Sequence, residues 1–99
     1  MNNLFASSIV DFRKIGGRIR NKRKEKRLSQ EQLAELIGIS LSFLGHIERG
    51  TRTASVETLA RISKVLEMDM HFIVFGCSSG YNADSQLLND LRELSQRYL

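Results

Sequence analysis

Ser29-Gln30-Glu31-Gln32-Leu33-Ala34-Glu35-Leu36-Ile37-Gly38-Ile39-Ser40-Leu41-Ser42-Phe43-Leu44-Gly45-His46-Ile47-Glu48-Arg49-Gly50 is the stretch on which the fold turns. Ser29 has the chemistry of an N-cap, and Gln32, three residues on, completes a capping box. Leu33, Leu36 and Ile37 form the expected buried stripe of a short helix, which Gly38 closes as a residue free to turn left-handed. Only Gly38-Ile39-Ser40 separates it from the next helix. Ser40 caps that helix, Phe43, Leu44 and Ile47 share its inward face, and Gly50 stops it.

Working outward, Phe12, Ile15 and Ile19 recur at spacings of three and four, which predicts a first helix ending near Lys26 or Arg27. After the central stretch, Ser55 caps a fourth helix with Val56, Leu59, Ile62, Val65 and Leu66 as its buried face. Met70-His71-Phe72-Ile73-Val74-Phe75, between Asp69 and Gly76, reads as a short fifth helix capped by Asp69. Its β-branched and aromatic content leaves a strand open. Residues 77–83 form a Ser/Gly/Asn-rich linker. Residues 84–99 predict a last helix whose Leu87, Leu91, Leu94 and Tyr98 follow a heptad-like seam. Residues 1–11 read as an arm or a helical extension, and 12–76 as the main domain.

The chain has 99 residues, 41% of them apolar, 26% charged and none proline, which suits one small, mostly helical domain. Its formal charge is +4, unevenly spread. Residues 1–27 carry nine basic side chains against Asp11 and Glu25, while the other 72 carry six basic and nine acidic ones. Such a concentration is either a docking face for a polyanion or a solvated helix surface. The single cysteine, Cys77, makes neither an internal disulfide nor a zinc site and reads as an ordinary loop residue. Uncharged stretches such as residues 36–45 are far shorter than a membrane span, and residues 1–10 lack the basic start of a secretory signal. With two histidines and no glycine-rich phosphate loop, catalytic residues, metal ligands and a cofactor are not expected, and a cytoplasmic location is.

Two short helices joined by a three-residue turn containing Gly have the outline of a helix-turn-helix. Here the sequence resembles the phage-repressor-like family (Cro/CI-type, or XRE). The resemblance rests on Ile15-Gly16-x-Arg18-Ile19-Arg20, Leu28-Ser29-Gln30-Glu31-x-Leu33-Ala34, Gly38-Ile39-Ser40, Ile47-Glu48-Arg49-Gly50 and Glu57-Thr58-Leu59. It covers residues 15–76, in the family's order and spacing. It implies an all-α, compact five-helix domain, here with a C-terminal helix added, that reads operator DNA as a dimer and regulates transcription, most often as a repressor. An α-helix fits the major groove, where every base pair shows its own pattern of donors and acceptors.

At about 100° per residue, Ser42, Gly45, His46 and Arg49 point away from the core, with Leu41 on the N-terminal flank. The resemblance makes Leu41, Ser42 and His46 base-reading positions, with Gly45 beside them. Gly45 in mid-helix reflects either close approach to DNA or tolerance on an exposed face. Ser29, Gln30, Ser40, Arg49 and Arg52 are expected on the phosphate backbone. Arg23 and Glu48 are implied to form a structural ion pair bracing the first helix against the third. Three positions depart from the pattern: Arg27 where glycine is frequent, Lys22 where an apolar residue is common, and Thr53-Ala54 for Asn-Pro. The terminal seam, Leu87, Leu91, Leu94 and Tyr98, either pairs with a second copy or folds back on its own domain. The expected partners are double-stranded DNA and a second protomer. The alternative is an antitoxin-type or complex-forming module that grips an antirepressor or toxin-like protein.

Overall fold

The computed structural model describes residues 10–77. Among them lie five helices and no strand: α1 (Phe12–Glu25), α2 (Gln30–Ile37), α3 (Leu41–Arg49), α4 (Val56–Leu66) and α5 (Met70–Phe75). The expected linker, the terminal helix and most of the N-terminal arm lie outside the described residues.

Every helix starts on a side chain that satisfies backbone N–H groups otherwise left without partners. Asp11 accepts from the N–H of Arg13 and Lys14, and Asp69 from that of His71. Ser29, Ser40 and Ser55 each accept from the N–H three residues on. At Ser29 the box is reciprocal. Gln32 N donates to Ser29 Oγ at 3.0 Å and Ser29 N to Gln32 Oε1 at 2.8 Å. The helix-turn-helix follows from its two stops, Gly38 at φ +76° and Gly50 at φ +74°, a region closed to most side chains.

The open question at 69–75 resolves as a helix. The Asp69 cap starts it, Gly76 ends it left-handed, and Arg18 of α1 secures it from outside. Arg18 Nη1 donates to the carbonyl oxygens of Ile73 at 2.8 Å and Val74 at 3.2 Å, two acceptors that the end of a helix leaves unpaired.

The core forms where the five helices converge. Ile19, Leu33, Leu44, Ile62, Leu66 and Ile73, at least one from each helix, are fully buried there. Three expected core residues are not in it. Leu36 is 60% exposed, Val56 is 75% exposed, and Phe12 also faces outward. Because α2 packs against both α3 and α4, its inward arc is centred on Leu33, Ala34 and Ile37, which rotates Leu36 out. Val56 and Phe12 are the first residues of their helices and stand at the margin of the packed region.

The tightest crossing is α1 over α3, at Gly16. A Cβ there would land on the carbonyl oxygens of Ile47 and Glu48, and only 2.7 Å from the Glu48 carbonyl carbon. The α1–α2 turn carries strain instead. Arg27 sits at φ +59°, where glycine is the comfortable residue. Left-handed backbone costs an L-residue about 1–2 kcal/mol, less what glycine loses in chain entropy. Arg27→Gly is therefore expected to raise stability by about 0.5–1 kcal/mol in urea denaturation; a loss would show that the Arg27 side chain itself stabilises the turn.

Candidate nucleic-acid interface

The α3 helix is held at a fixed angle by one buried carboxylate. Arg23 of α1 donates from Nε to Glu48 Oε2 at 2.7 Å and from Nη2 to Oε1 at 3.0 Å. Its Nη1 donates to the Leu28 carbonyl at 2.8 Å, and Gln30 Nε2 donates to Glu48 Oε1 at 2.9 Å. Arg23 is 7% exposed and Glu48 6%, so the pair is almost wholly buried at the floor of the groove beside α3. Charge-assisted, two-pronged bonds of this kind are the strong ones. The geometry ties α1, the α1–α2 turn, the start of α2 and the end of α3 to one another.

The outward face of α3 begins with Leu41, 45% exposed, and Ser42, also exposed. His46 follows, half-buried. The Thr51 hydroxyl donates to the His46 carbonyl at 3.2 Å and lies 2.8 Å from Nδ1. Nδ1 is thus engaged with Thr51, and Nε2 is the ring atom left to meet a base edge, as donor or acceptor according to the tautomer.

Gly45 departs from expectation. It does not lie open on the outer face but is buried, and what covers it is Arg49. The Arg49 guanidinium folds back one turn, with Nη1 3.0 Å and Cζ 3.7 Å from the point a Cβ of residue 45 would occupy. Arg49 itself is exposed. Arg52 lies with its guanidinium carbon 5.8 Å from the centre of the half-buried Phe43 ring, a cation–π distance that holds the arginine beside α3.

Beside α3 runs a groove of about 570 Å³ whose walls include Arg20, Ser29, Gln30, Leu41 and Arg49. Two helix N-termini open near it, those of α2 and α3, where backbone N–H groups and the helix dipole favour an anion. The hydroxyl oxygens of Ser29 and Ser40 are occupied as caps. The Gln30 side chain is turned toward Glu48, so Gln30 offers an anion its backbone N–H and not its amide. Arg20 is a wall residue that the sequence did not mark as a site residue; its signals were its place in the basic segment and in the family fragment at residues 15–20. Leu87, Leu91, Leu94 and Tyr98 lie outside the described residues. No helix among the described residues is long and apolar enough to cross a membrane.

Comparison with known proteins supplies independent findings. A family model described as helix-turn-helix matches residues 19–73. The ImmF control region 10 kDa protein of Bacillus phage phi105 is 37% identical over 65 residues, 66% of this chain and 72% of that protein. The transcriptional regulator SinR of Bacillus subtilis is 41% identical over 61 residues, 61% of this chain and 55% of SinR, so the chain spans about half that regulator's length. Among solved structures, the P22 c2 repressor in complex with a synthetic operator superposes with a TM-score of 0.62 at 28% identity, covering 64% of this chain and 96% of that one.

Proposed function

Because the chain belongs to the helix-turn-helix family of transcriptional regulators, we propose that it is a repressor that binds a pseudopalindromic operator as a homodimer, with α3 in the major groove. The observation that carries this reading is the braced α3. The Arg23–Glu48 pair fixes its angle, while Leu41, Ser42 and His46 remain turned away from the core. The operator-bound state of the P22 c2 repressor, a protein of the same fold, supports it.

In this reading Leu41 meets a thymine methyl, Ser42 a base edge, and His46 Nε2 a purine edge, donating to a guanine or adenine acceptor or, in the other tautomer, accepting from an exocyclic amine. The helix starts at Ser29, Gln30 and Ser40, together with Arg52, hold phosphates and set the register. The homodimer is formed through the segment 84–99, with the Leu87, Leu91, Leu94 and Tyr98 seam as its contact, and the domain 12–76 is the reading unit. Two-fold symmetry then requires inverted half-sites about one helical turn, roughly 34 Å, apart.

Selection of bound duplexes from a random pool, with titrations at two salt concentrations, tests this. Enrichment of inverted half-sites at that spacing and a steep loss of affinity with salt are expected. No binding to any duplex at low salt would falsify it. On the enriched site, His46→Ala is expected to flatten preference at particular base pairs, with a loss of about 1–3 kcal/mol on the best sequence. Arg52→Ala is expected to weaken all sequences alike and to lower the salt slope by about one.

A second reading, a module acting mainly on a protein partner, draws on the exposed Phe72 and Phe75 of α5. It would be favoured by a stable stoichiometric complex together with absence of duplex binding.

A further inference from the structure

The outer face of α3 has an unusual composition for reading DNA. Leu41, Ser42 and His46 offer an apolar contact and single hydrogen bonds, and none of them makes the two-pronged bonds that discriminate base pairs best. Arg49 is the one side chain of α3 whose donors are arranged as a planar fork. By sequence position it belongs at the far end of the helix, beside the phosphates.

Its side chain lies elsewhere. The guanidinium is drawn back along the helix over Gly45, and, the helix's own backbone and the adjoining residues aside, the three atoms nearest a Cβ of residue 45 all belong to Arg49. A Cβ on residue 45 would press on this guanidinium and displace it by a few tenths of an ångström. Among the described residues, no hydrogen bond or ion pair occupies the Arg49 guanidinium, whereas Arg18, Arg23 and Arg61 are each bonded to carbonyl or carboxylate oxygens. An unpaired fork therefore rests about one helical turn closer to the reading end than its own Cα, on the stripe that begins with Leu41 and beside the groove that both residues line.

From this we infer that Arg49 is a base-reading residue, donating two parallel hydrogen bonds to O6 and N7 of a guanine, and that Gly45 is the positioning residue that lets it reach. The inference rests on the proposal that α3 enters the major groove. It reassigns Arg49 from the phosphate contact expected from sequence. It also gives the mid-helix glycine a purpose, since glycine there costs about 1 kcal/mol relative to alanine.

The test compares the full-length wild type with Arg49→Ala, Arg49→Lys and Gly45→Ala. The probe is the duplex enriched from a random pool, with each guanine replaced in turn by 7-deazaguanine, which lacks N7. For the wild type, one substitution per half-site is expected to lower affinity roughly tenfold. Arg49→Ala should be insensitive to that same substitution and should lose the guanine when selection is repeated, and Arg49→Lys should show both effects in weakened form. Lysine keeps the charge but not the rigid planar fork, so it should restore the guanine preference only in part. Gly45→Ala should weaken the guanine preference while its thermal stability stays equal or rises, because only the Arg49 guanidinium has to move.

The inference is overturned if Arg49→Lys retains the wild-type guanine preference and Arg49→Ala weakens every sequence by one factor with a salt slope lower by about one, the behaviour of a phosphate contact. It is overturned equally if Arg49→Ala changes nothing. A wild type that binds no duplex would overturn the DNA-binding proposal and this one with it. A wild type that selects an operator while both Arg49 variants select the same one overturns this one alone.

Discussion

Gly16→Ala should lower the melting temperature by roughly 15 °C, while the same exchange one residue later, Gly17→Ala, should raise it. A methyl group on Gly16 would occupy the space of the Ile47 and Glu48 carbonyl oxygens, which are backbone atoms and cannot rotate aside. The two helices must move apart, and with them the packing of Ile15 and Ile19 against Leu44 and Ile47. Overpacking commonly costs about 1–3 kcal/mol, and a clash with backbone belongs at or above the upper end. In a domain of this size each kcal/mol is worth about 4–8 °C. Gly17 has nothing within 4 Å of its would-be Cβ, so alanine there gains about 1 kcal/mol of helix propensity without steric cost. Thermal unfolding followed by circular dichroism reads both. Equal shifts of the same sign would refute the close crossing.

Glu48→Ala should cost about 3–5 kcal/mol in urea denaturation, because it strands the Arg23 guanidinium without its counter-charge at 7% exposure. The Gln30 amide loses its acceptor in the same step, and the start of α2 loses its link to α3. Glu48→Gln, which keeps the shape and surrenders the charge, should fall between Glu48→Ala and wild type. The double variant Arg23→Met/Glu48→Met should recover most of the loss. Removing both charges removes the desolvation cost along with the attraction. Recovery to within about 1–2 kcal/mol of wild type is the expected signature of coupling. A Glu48→Ala cost below about 1 kcal/mol would mean that water reaches the pair and that α3 owes its angle to apolar packing.

What could be read from the sequence follows a physical division. Caps were legible because a cap is a local event. Ser29, Ser40, Ser55 and Asp69 each bond to N–H groups two or three residues away, so residue type and spacing suffice. Fold class and family followed from the ordered fragments around them. Burial faces were legible only in part. On a helix as short as α2, a stripe drawn through Leu33, Leu36 and Ile37 is about as periodic as one through Leu33, Ala34 and Ile37, and only the positions of α3 and α4 choose between them.

What the sequence left hidden at the interface has the same origin. Periodicity places Gly45 on the outer side of α3, but it says nothing of a side chain four residues away lying across it. The Gln30 amide at the first turn of α2 is turned to the buried Glu48, a partner that only the folded chain brings beside it, and the backbone N–H is what Gln30 has left for an anion. Gly16 was visible as part of a family fragment, yet the reason for a glycine there is a pair of carbonyl groups more than thirty positions along the chain.

The hold of Arg18 on α5 has a dynamic counterpart. Six residues are too few to sustain a helix in water, and α5 buries only Ile73 completely. It is helical because α1 lends it a guanidinium and a surface. Among the described helices the least costly excursion is thus detachment of α5 alone, leaving α2 and α3 joined through Glu48. In hydrogen–deuterium exchange, among the five described helices, the amides of α5 would trade their protons first and those around Leu33 and Leu44 last, near the rate of complete unfolding. A load applied to the chain beyond Cys77 would be felt at α5 well before it disturbed the angle of α3.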